Sequence, residues 1–432
     1  MKISIHTFGC KLNQAESDEL KKELIKAGHI IVPTNTNENV AVVRACAVTC
    51  AASQSARAMI RQLKKSGIYI IVVGCVENKD MKEIDFVAKD NEDVAQHIFS
   101  YCHPRVIPDQ DPGSGRTPIP NTWIPVFTGM TDECKRDKKH DIIINRTRAF
   151  IKIQTGCNFN CSYCAIPHFR GKSQSIPVVQ IIKKIKEAEN DGYKEIILTG
   201  VNICHYNSDK INLSGLLEII LKKTKIPRIR LGSLDPRLIT DKLIRLYNTK
   251  QFDNLAIHQF YTSRLLPHWH LSLQSGSDEI LKSMNRLYTT EQYLKIICKV
   301  RTINPLFSFT TDVIVGFPGE DDTNFKNTCN LVKTAQFSKI HIFRYSPRPN
   351  TPACQMTNQI SEKIKTDRAS TLKKIGDTVA KNFAKQFVDK NVEVLFENKK
   401  SGVWSGYTPE YLQVKRHGNK NLQNKIISVK YQ

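Results

Sequence analysis

The chain has 432 residues, 40% of them hydrophobic, enough for two or three domains that each bury a core. No run approaches the roughly 18 apolar residues of a membrane span, and Met1 leads directly into a strand-like segment, so the expected location is the cytoplasm, with no membrane contact. Lys and Arg number 64 against 41 Asp and Glu, a net charge of +23 that attracts phosphate backbones and points to nucleic acid; Lys-rich runs such as IIKKIKEAE can also reflect genome composition.

In chain order, KISIHTF, VAVVRAC and IYIIVVGC read as strands, with helices expected over about Ala15 to Ala27 and Ser53 to Ser66. This βαβαβ pattern implies a parallel sheet within a unit spanning residues 1–100. The strand ends deliver Cys10, Cys46 and Cys75. Ligands of open α/β sheets gather at the carboxyl ends of strands, so these thiols can converge on one point as a three-cysteine site. Cys50 shows that a cysteine near a strand end can also be incidental. Thirteen cysteines in a reducing compartment do not form a disulfide framework, so metal ligation or catalysis must account for some of them.

Residues 101–141 are rich in Pro, Gly and charge and read as a linker or insertion, in which Cys102 and Cys134 are unremarkable thiols. From 142 to 360 the alternation resumes. Strands are expected at AFIKIQT, KEIILTG, RIRLGSL, HWHLSLQ, FTTDVIVGF and KIHIFRYS, with helices between them. Six β/α units predict an open or partial barrel of the TIM type, with chemistry on the loops after the strands.

The first such loop carries Cys157, Cys161 and Cys164 in the spacing C-x3-C-x2-C. Three thiolates can hold three irons of a cubic iron-sulfur cluster and leave the fourth iron open to a substrate or cofactor. A structural zinc site wants four ligands, and neither a cysteine nor a histidine lies at a suitable fourth spacing, His168 following Pro167 directly. Cys204, Cys298, Cys329 and Cys354 are expected only to pack.

A helix is expected over residues 361–388, with Lys repeated on its polar side. Residues 389–432 show short alternating strands between Gly, Asn and Pro turns, predicting a small basic β-barrel. Its Trp404, Tyr407 and Tyr411, beside Lys415 and Arg416, either face nucleic acid or form the barrel's own core.

C-x3-C-x2-C after the first strand of a partial barrel, with an aromatic Tyr163 before the last cysteine, resembles the radical S-adenosylmethionine superfamily. The ordered segments TFGCKLNQAES, ACAVT, VVGC, LTGVNI, LQSGS, DVIVGFPGE and FRYSPRPNTPA narrow this. Nearly the whole chain is similar to the methylthiotransferases, whose N-terminal domain and radical core precede a C-terminal TRAM domain that binds RNA.

The resemblance implies that Cys157, Cys161 and Cys164 hold a radical [4Fe-4S] cluster whose open iron chelates S-adenosyl-L-methionine. Cys10, Cys46 and Cys75 would hold a second, auxiliary [4Fe-4S] cluster bearing the sulfur to be inserted, so all six are the expected catalytic set. Tyr163, Thr199, Gly200, Ser233, Gln274 and the Asp312 to Gly316 strand end match positions that line the cofactor pocket. One S-adenosylmethionine would give the methyl group and a second the radical that removes hydrogen from an aromatic carbon. A low-potential electron donor and a sulfur donor are implied as partners.

Family branches act on isopentenyladenosine or threonylcarbamoyladenosine beside the tRNA anticodon, or on an aspartate of a ribosomal protein. Lys11-Leu12-Asn13 after Cys10 and the RPNTPA segment resemble the threonylcarbamoyladenosine branch, which makes the anticodon stem-loop of tRNA the expected partner. A non-catalytic iron-sulfur RNA-binding protein is the reading from a different class. The chain departs from the family pattern at Arg44-Ala45-Cys46, where Asn-Thr-Cys is usual, and at Asn350, where Gly is usual.

Overall fold

The structure, a computed structural model, describes residues 1–34, 36–46, 50–75, 81–102, 146–248 and 264–432. The expected linker, with Cys134, falls outside them, apart from its first two residues, which complete a helix over Asn91–Cys102.

Strands β1 (Lys2–Thr7), β2 (Ile30–Ile31), β3 (Val40–Ala45), β4 (Tyr69–Gly74) and β5 (Phe86–Ala88) form one parallel sheet in the order β2-β1-β3-β4-β5. Its central strands are apolar on both faces because helices cover both: Val40 and Val42 enter one core, Ala41 and Val43 the other. Three helices, α1 (Lys11–Lys26), α2 (Cys50–Lys65) and α3 (Asn91–Cys102), supply that cover. Helix α1 begins at Lys11, four residues before the expected start, because the extended backbone of Cys10 (φ −86°, ψ 170°) ends the strand exit and opens the helix at once.

The middle of the chain forms an arc of parallel strands. The long ones are β6 (Arg148–Lys152), β9 (Glu195–Thr199), β12 (Arg228–Leu231), β14 (His268–Leu271), β15 (Ser308–Val315) and β16 (Lys339–Arg344). Between them lie the short pairs β7 (Gln154–Thr155) with β8 (Gln174–Ser175) and β10 (Asn207–Ser208) with β11 (Ile211–Asn212), and the short strand β13 (Ser233–Leu234). Hydrogen bonding divides the arc into the sheets β12-β9-β6 and β13-β14-β15-β16. The expected strand over 228–234 belongs to both: at the step between β12 and β13 the Gly232 N–H donates to Leu198 O at 2.8 Å, after which the chain turns to pair with β14.

The arc is the partial six-unit barrel expected from the repeats, and among the described residues no pairing joins β6 to β16. Its core is one large cluster built from the strands and the helices outside them, including Ile196, Leu198, Trp269, Phe309 and Val332.

A helix over Glu362–Lys385 packs on β16, where Gly376 lies against Ile340. It leads into an antiparallel sheet of β17 (Asn391–Lys400), β18 (Val403–Tyr407), β19 (Gln413–His417) and β20 (Ile426–Lys430), in the order β19-β18-β17-β20. This is a half-barrel: among the described residues β19 does not pair with β20. Its concave face closes on Phe383 and Phe387 at the end of the long helix, with Phe396 and Trp404 inside. Trp404 is therefore core, and the packing reading of that aromatic is the correct one.

Candidate functional site

The loop after β6 doubles back at Gly156 (φ +70°), where any Cβ would collide with Lys172 O. The Cys157 N–H then donates to Gly171 O at 3.0 Å, and the Cys164 N–H donates to Cys161 O at 3.0 Å. Ser162 fixes the turn to the far side of the arc by donating from N–H to Met284 O (3.1 Å) and from Oγ to Ser283 O (2.8 Å). Burial pushes the Cys164 thiol up to about 12, and the neighbouring Cys161 and Cys157 raise it too. Burial raises the Cys157 thiol as well, and thiolates brought this close together are stabilised by a positive charge bound among them.

Two guanidinium groups approach the middle sulfur. Arg286 Nη1 lies 3.7 Å and Arg237 Nη2 3.9 Å from Cys161 Sγ, and Asp235 pairs with both at 2.8 Å. Arg237 also lies over the Phe159 ring at 3.3 Å. Among the described residues only His270, Asp312 and His341 bring three ligand atoms within 4.8 Å of one another; the cysteine triplets are wider. Each triplet offers three thiols, one fewer than the four ligands of a structural zinc and the number that leaves one iron of a cubic cluster open.

Beside Cys164 a cavity of about 560 Å³ runs past Tyr163, Gln274 and Asp312 to the residues after β16. Of the expected pocket residues these three line it. Thr199, Gly200, Ser233 and Gly316 lie outside that lining. Thr199 O accepts the Ile153 N–H (2.9 Å), and Gly200 abuts Gln154. Ser233 is exposed on β13. Gly316 abuts Lys365, its N–H donating to Glu320 Oε2 at 2.6 Å.

Gln154, Asp235, Arg237 and Arg286 belong to the site without any motif that marks them in the sequence. The two N–H bonds of buried Gln154 Nε2 are shared among Thr155 O, Gly156 O and Ser173 Oγ, and its Oε1 accepts the Asn202 N–H, holding the loop base from both sides. The one clue to Asp235 and Arg237 is their place directly after the RIRLGSL strand.

At the N-terminal sheet, Gly9 (φ +91°) leaves no room for a Cβ, which would strike Cys46 Sγ. Asn13 Nδ2 donates to Phe8 O (2.8 Å) and Ala45 O (2.9 Å), clamping the ends of β1 and β3 together. A hydrogen bond with Cys46 brings the Cys10 thiol down to about 6 against the opposing effect of burial. Cys46 and Cys75 line one small cavity of about 30 Å³ with Ser53 and Ala56. The three strand ends thus bring Cys10 beside Cys46, and Cys46 beside Cys75.

The helix Ile166–Arg170, directly after the second triplet, reaches across to the first. Arg170 donates from Nε to Cys75 Sγ (3.4 Å), from Nη2 to Asn13 Oδ1 (2.7 Å) and from Nη1 to Glu16 Oε1 (2.9 Å). Glu16 also pairs with Arg44 (3.1 Å) and Lys152 (3.4 Å). Burial would raise its pKa, but the Arg170, Lys152 and Arg44 cations hold it down at about 2. Arg44, the departure from the family pattern, further donates to Ser17 Oγ (3.0 Å) and Asn91. It is an integral member of this network.

Below the cavity the arc's interior is polar. His270 Nε2 meets Asp312 Oδ2 at 3.2 Å, and His341 faces them from β16. Deeper, Arg148 donates to the Tyr411 hydroxyl (3.1 Å) and Glu397 (3.0 Å), and Arg230 pairs with Glu195 (2.8 Å). Tyr407 and Tyr411 stack at 4.9 Å, and Tyr411 lies 4.9 Å from His268. Both tyrosines therefore face the barrel, while Lys415 and Arg416 on β19 are exposed.

Two family models match: Radical SAM superfamily over residues 151–332, and Uncharacterized protein family UPF0004 over 2–95. Threonylcarbamoyladenosine tRNA methylthiotransferase MtaB of Thermotoga maritima is 34% identical, over 99% of this chain and 94% of its own length. The Bacillus subtilis protein of that name is 31% identical over 99% and 93%. A tRNA-2-methylthio-N(6)-dimethylallyladenosine synthase of Orientia tsutsugamushi is 31% identical over 99% and 95%. Among solved structures, the radical S-adenosylmethionine methyltransferase TsrM from Kitasatospora setae superposes with a TM-score of 0.57 at 11% identity, over 82% of this chain and 74% of that one. At that identity the likeness concerns the fold alone.

Proposed function

The chain belongs to the methylthiotransferase family of radical S-adenosylmethionine proteins, and from this membership we propose that it inserts a methylthio group at C2 of N6-threonylcarbamoyladenosine beside the tRNA anticodon. The observation that carries the reading is the bond from Arg170 to Cys75, which ties the loop of one cysteine triplet to the other. Inserting sulfur held at one triplet into a carbon activated by a radical made at the other requires both to meet one substrate, and this contact supports that reading by bringing the loop of one triplet against the other.

Cys157, Cys161 and Cys164 would hold one [4Fe-4S] cluster and Cys10, Cys46 and Cys75 the other. When bound, the clusters and S-adenosyl-L-methionine supply the radical, the sulfur and the methyl group. The chain's own residues do the rest. Arg237 and Arg286 place positive charge beside Cys161 Sγ. Asp235 holds both guanidinium groups in place. Tyr163, Gln274 and Asp312 bound the space in which S-adenosylmethionine and the base would meet. Glu16, Arg44 and Arg170 hold the N-terminal sheet at one fixed position against β6. Exposed Lys415 and Arg416 would take RNA phosphates.

On this reading residues 1–100 form the N-terminal unit, 142–360 the radical core, 361–388 a connecting helix and 389–432 a TRAM domain that binds the anticodon stem-loop. A low-potential electron donor and a sulfur donor complete the partners. The enzyme would work in the cytoplasm; among the described residues no helix is long and apolar enough to cross a membrane. Nucleoside analysis of tRNA from cells with and without the gene tests the proposal. Loss of methylthio-threonylcarbamoyladenosine is expected on deletion; unchanged levels would refute it.

A further inference from the structure

Lys11 follows Cys10 directly, at the first position of α1, and its side chain is partly buried among Tyr411, Arg148, Arg230 and Glu195 in the interior of the arc. There its ammonium lies 5.7 Å from the centre of the Tyr411 ring. Two further cations share that ring, Arg148 at 5.3 Å and Arg230 at 4.4 Å, but both are committed: Arg148 to Glu397 and the Tyr411 hydroxyl, Arg230 to Glu195, Pro409 O and Thr408 O. Among the described residues the Lys11 ammonium has no carboxylate within ion-pair distance and no hydrogen-bond acceptor. It acts electrostatically on Asp312, whose side chain lines the cavity beside Cys164. Glu195 also acts on Lys11, and both acids are engaged elsewhere, Asp312 by His270 and Glu195 by Arg230.

A cation withdrawn from bulk water beside two others is costly unless an anion joins it. An adenine carrying its reacting carbon at C2 places its N6 substituent on the same edge of the ring, with only N1 and C6 between C2 and N6. Whatever reads that substituent must therefore stand close to the sulfur source, and Lys11 is the covalent neighbour of Cys10. An isopentenyl group would bring only hydrocarbon to this ammonium, whereas a threonylcarbamoyl group brings a carboxylate. We propose that Lys11 is a specificity-determining residue that recognises the carboxylate of the N6 substituent, with Tyr411, in the turn between β18 and β19, forming the wall against which the ammonium is held. The inference rests on the threonylcarbamoyladenosine reading above.

The test uses the cluster-reconstituted protein and an anticodon stem-loop RNA in three forms: the threonylcarbamoyl acid, its methyl ester and unmodified adenosine. Binding is followed anaerobically by fluorescence anisotropy for wild type, Lys11→Met and Lys11→Arg. Wild type should bind the acid about tenfold or more tighter than the ester, the worth of a charge-assisted hydrogen bond. Lys11→Met should bind acid and ester alike, at the affinity wild type shows for the ester, while Lys11→Arg retains a preference for the acid. Iron content, read on the same samples, shows whether the cluster next to Cys10 is intact. A preference that persists in Lys11→Met, or is absent in wild type, overturns the role of Lys11. If wild type methylthiolates the acid RNA in either case, the threonylcarbamoyladenosine reading stands without it. If wild type methylthiolates only an RNA lacking the carboxylate, both fall.

Discussion

Arg170 Nε lies 3.4 Å from Cys75 Sγ, so a side chain that begins six residues after Cys164 ends against a cysteine of the other triplet. The same guanidinium pairs with Glu16, nearly buried on α1, and these contacts make the position of one triplet depend on the other.

Arg170→Ala is expected to uncouple the two halves of the reaction. Removing one partner of a buried pair costs about 3 kcal/mol or more, because the other charge is left uncompensated. Since the Cys157, Cys161 and Cys164 loop is held separately by Gln154 and Ser162, cleavage of S-adenosylmethionine should persist within about twofold while methylthiolated product falls by about tenfold or more. Quantifying 5'-deoxyadenosine and modified nucleoside in one assay checks both, and a parallel loss of the two would contradict the separation.

Gly9→Ala should selectively empty the N-terminal site. The substitution combines a positive φ with a collision at Cys46 Sγ. Wild type should carry about eight irons after anaerobic reconstitution and the variant about four, the content of one cubic cluster. Cys157→Ala/Cys161→Ala/Cys164→Ala should also leave about four, on the other site. Equal iron in Gly9→Ala and wild type would show that the backbone there can yield.

The Glu16 network sets a pH dependence. Its folded-state pKa, lowered from 4.5 to about 2, is below the unfolded value. Its contribution is therefore fully present above about pH 4.5 and is lost as pH falls towards 2, amounting to about 3 kcal/mol at neutral pH. Glu16→Gln should unfold at lower denaturant concentration than wild type at pH 7, with the gap narrowing between about pH 4.5 and 2. A gap that does not change with pH would assign the loss to packing instead of charge.

Lys415→Ala/Arg416→Ala should weaken RNA binding without altering its dependence on the N6 substituent. For single strands, each phosphate left without its cation lowers the slope of log affinity against log salt by roughly 0.7. A double variant should thus show a slope reduced by roughly 1.4 if both residues touch phosphate. An unchanged slope would place the RNA on another face.

The repeating elements were readable because burial imposes periodicity: VAVV must be apolar on both faces of a covered sheet, Ile196 and Leu198 of the EIILT strand are apolar towards the outer helices, and those helices carry apolar stripes. The cysteine triplets were readable because their spacing is local or falls at strand ends. What escaped were contacts between residues remote in sequence. Nothing near Arg170 in the chain announces Cys75, and Asp235 gains meaning only when Arg286, fifty-one positions on, folds against it. Trp404 lies on β18 and Tyr411 in the turn that follows it, yet one enters the small domain's own core and the other faces the barrel, a difference set by how that domain docks. Asn350, in place of the usual Gly, has φ of +62°, a conformation asparagine tolerates better than most residues, and its carbonyl meets His168 at 3.1 Å.

The seven strand pieces of the arc stop at β16, whose outer edge stays partly exposed and unpaired with β6 among the described residues. A closed cylinder admits only what fits through its mouth, so a polymer could enter it only by threading. An arc with one open side lets a single extruded base reach the interior while the rest of the polymer remains outside. For a nucleotide in a single-stranded loop, extrusion costs little stacking energy.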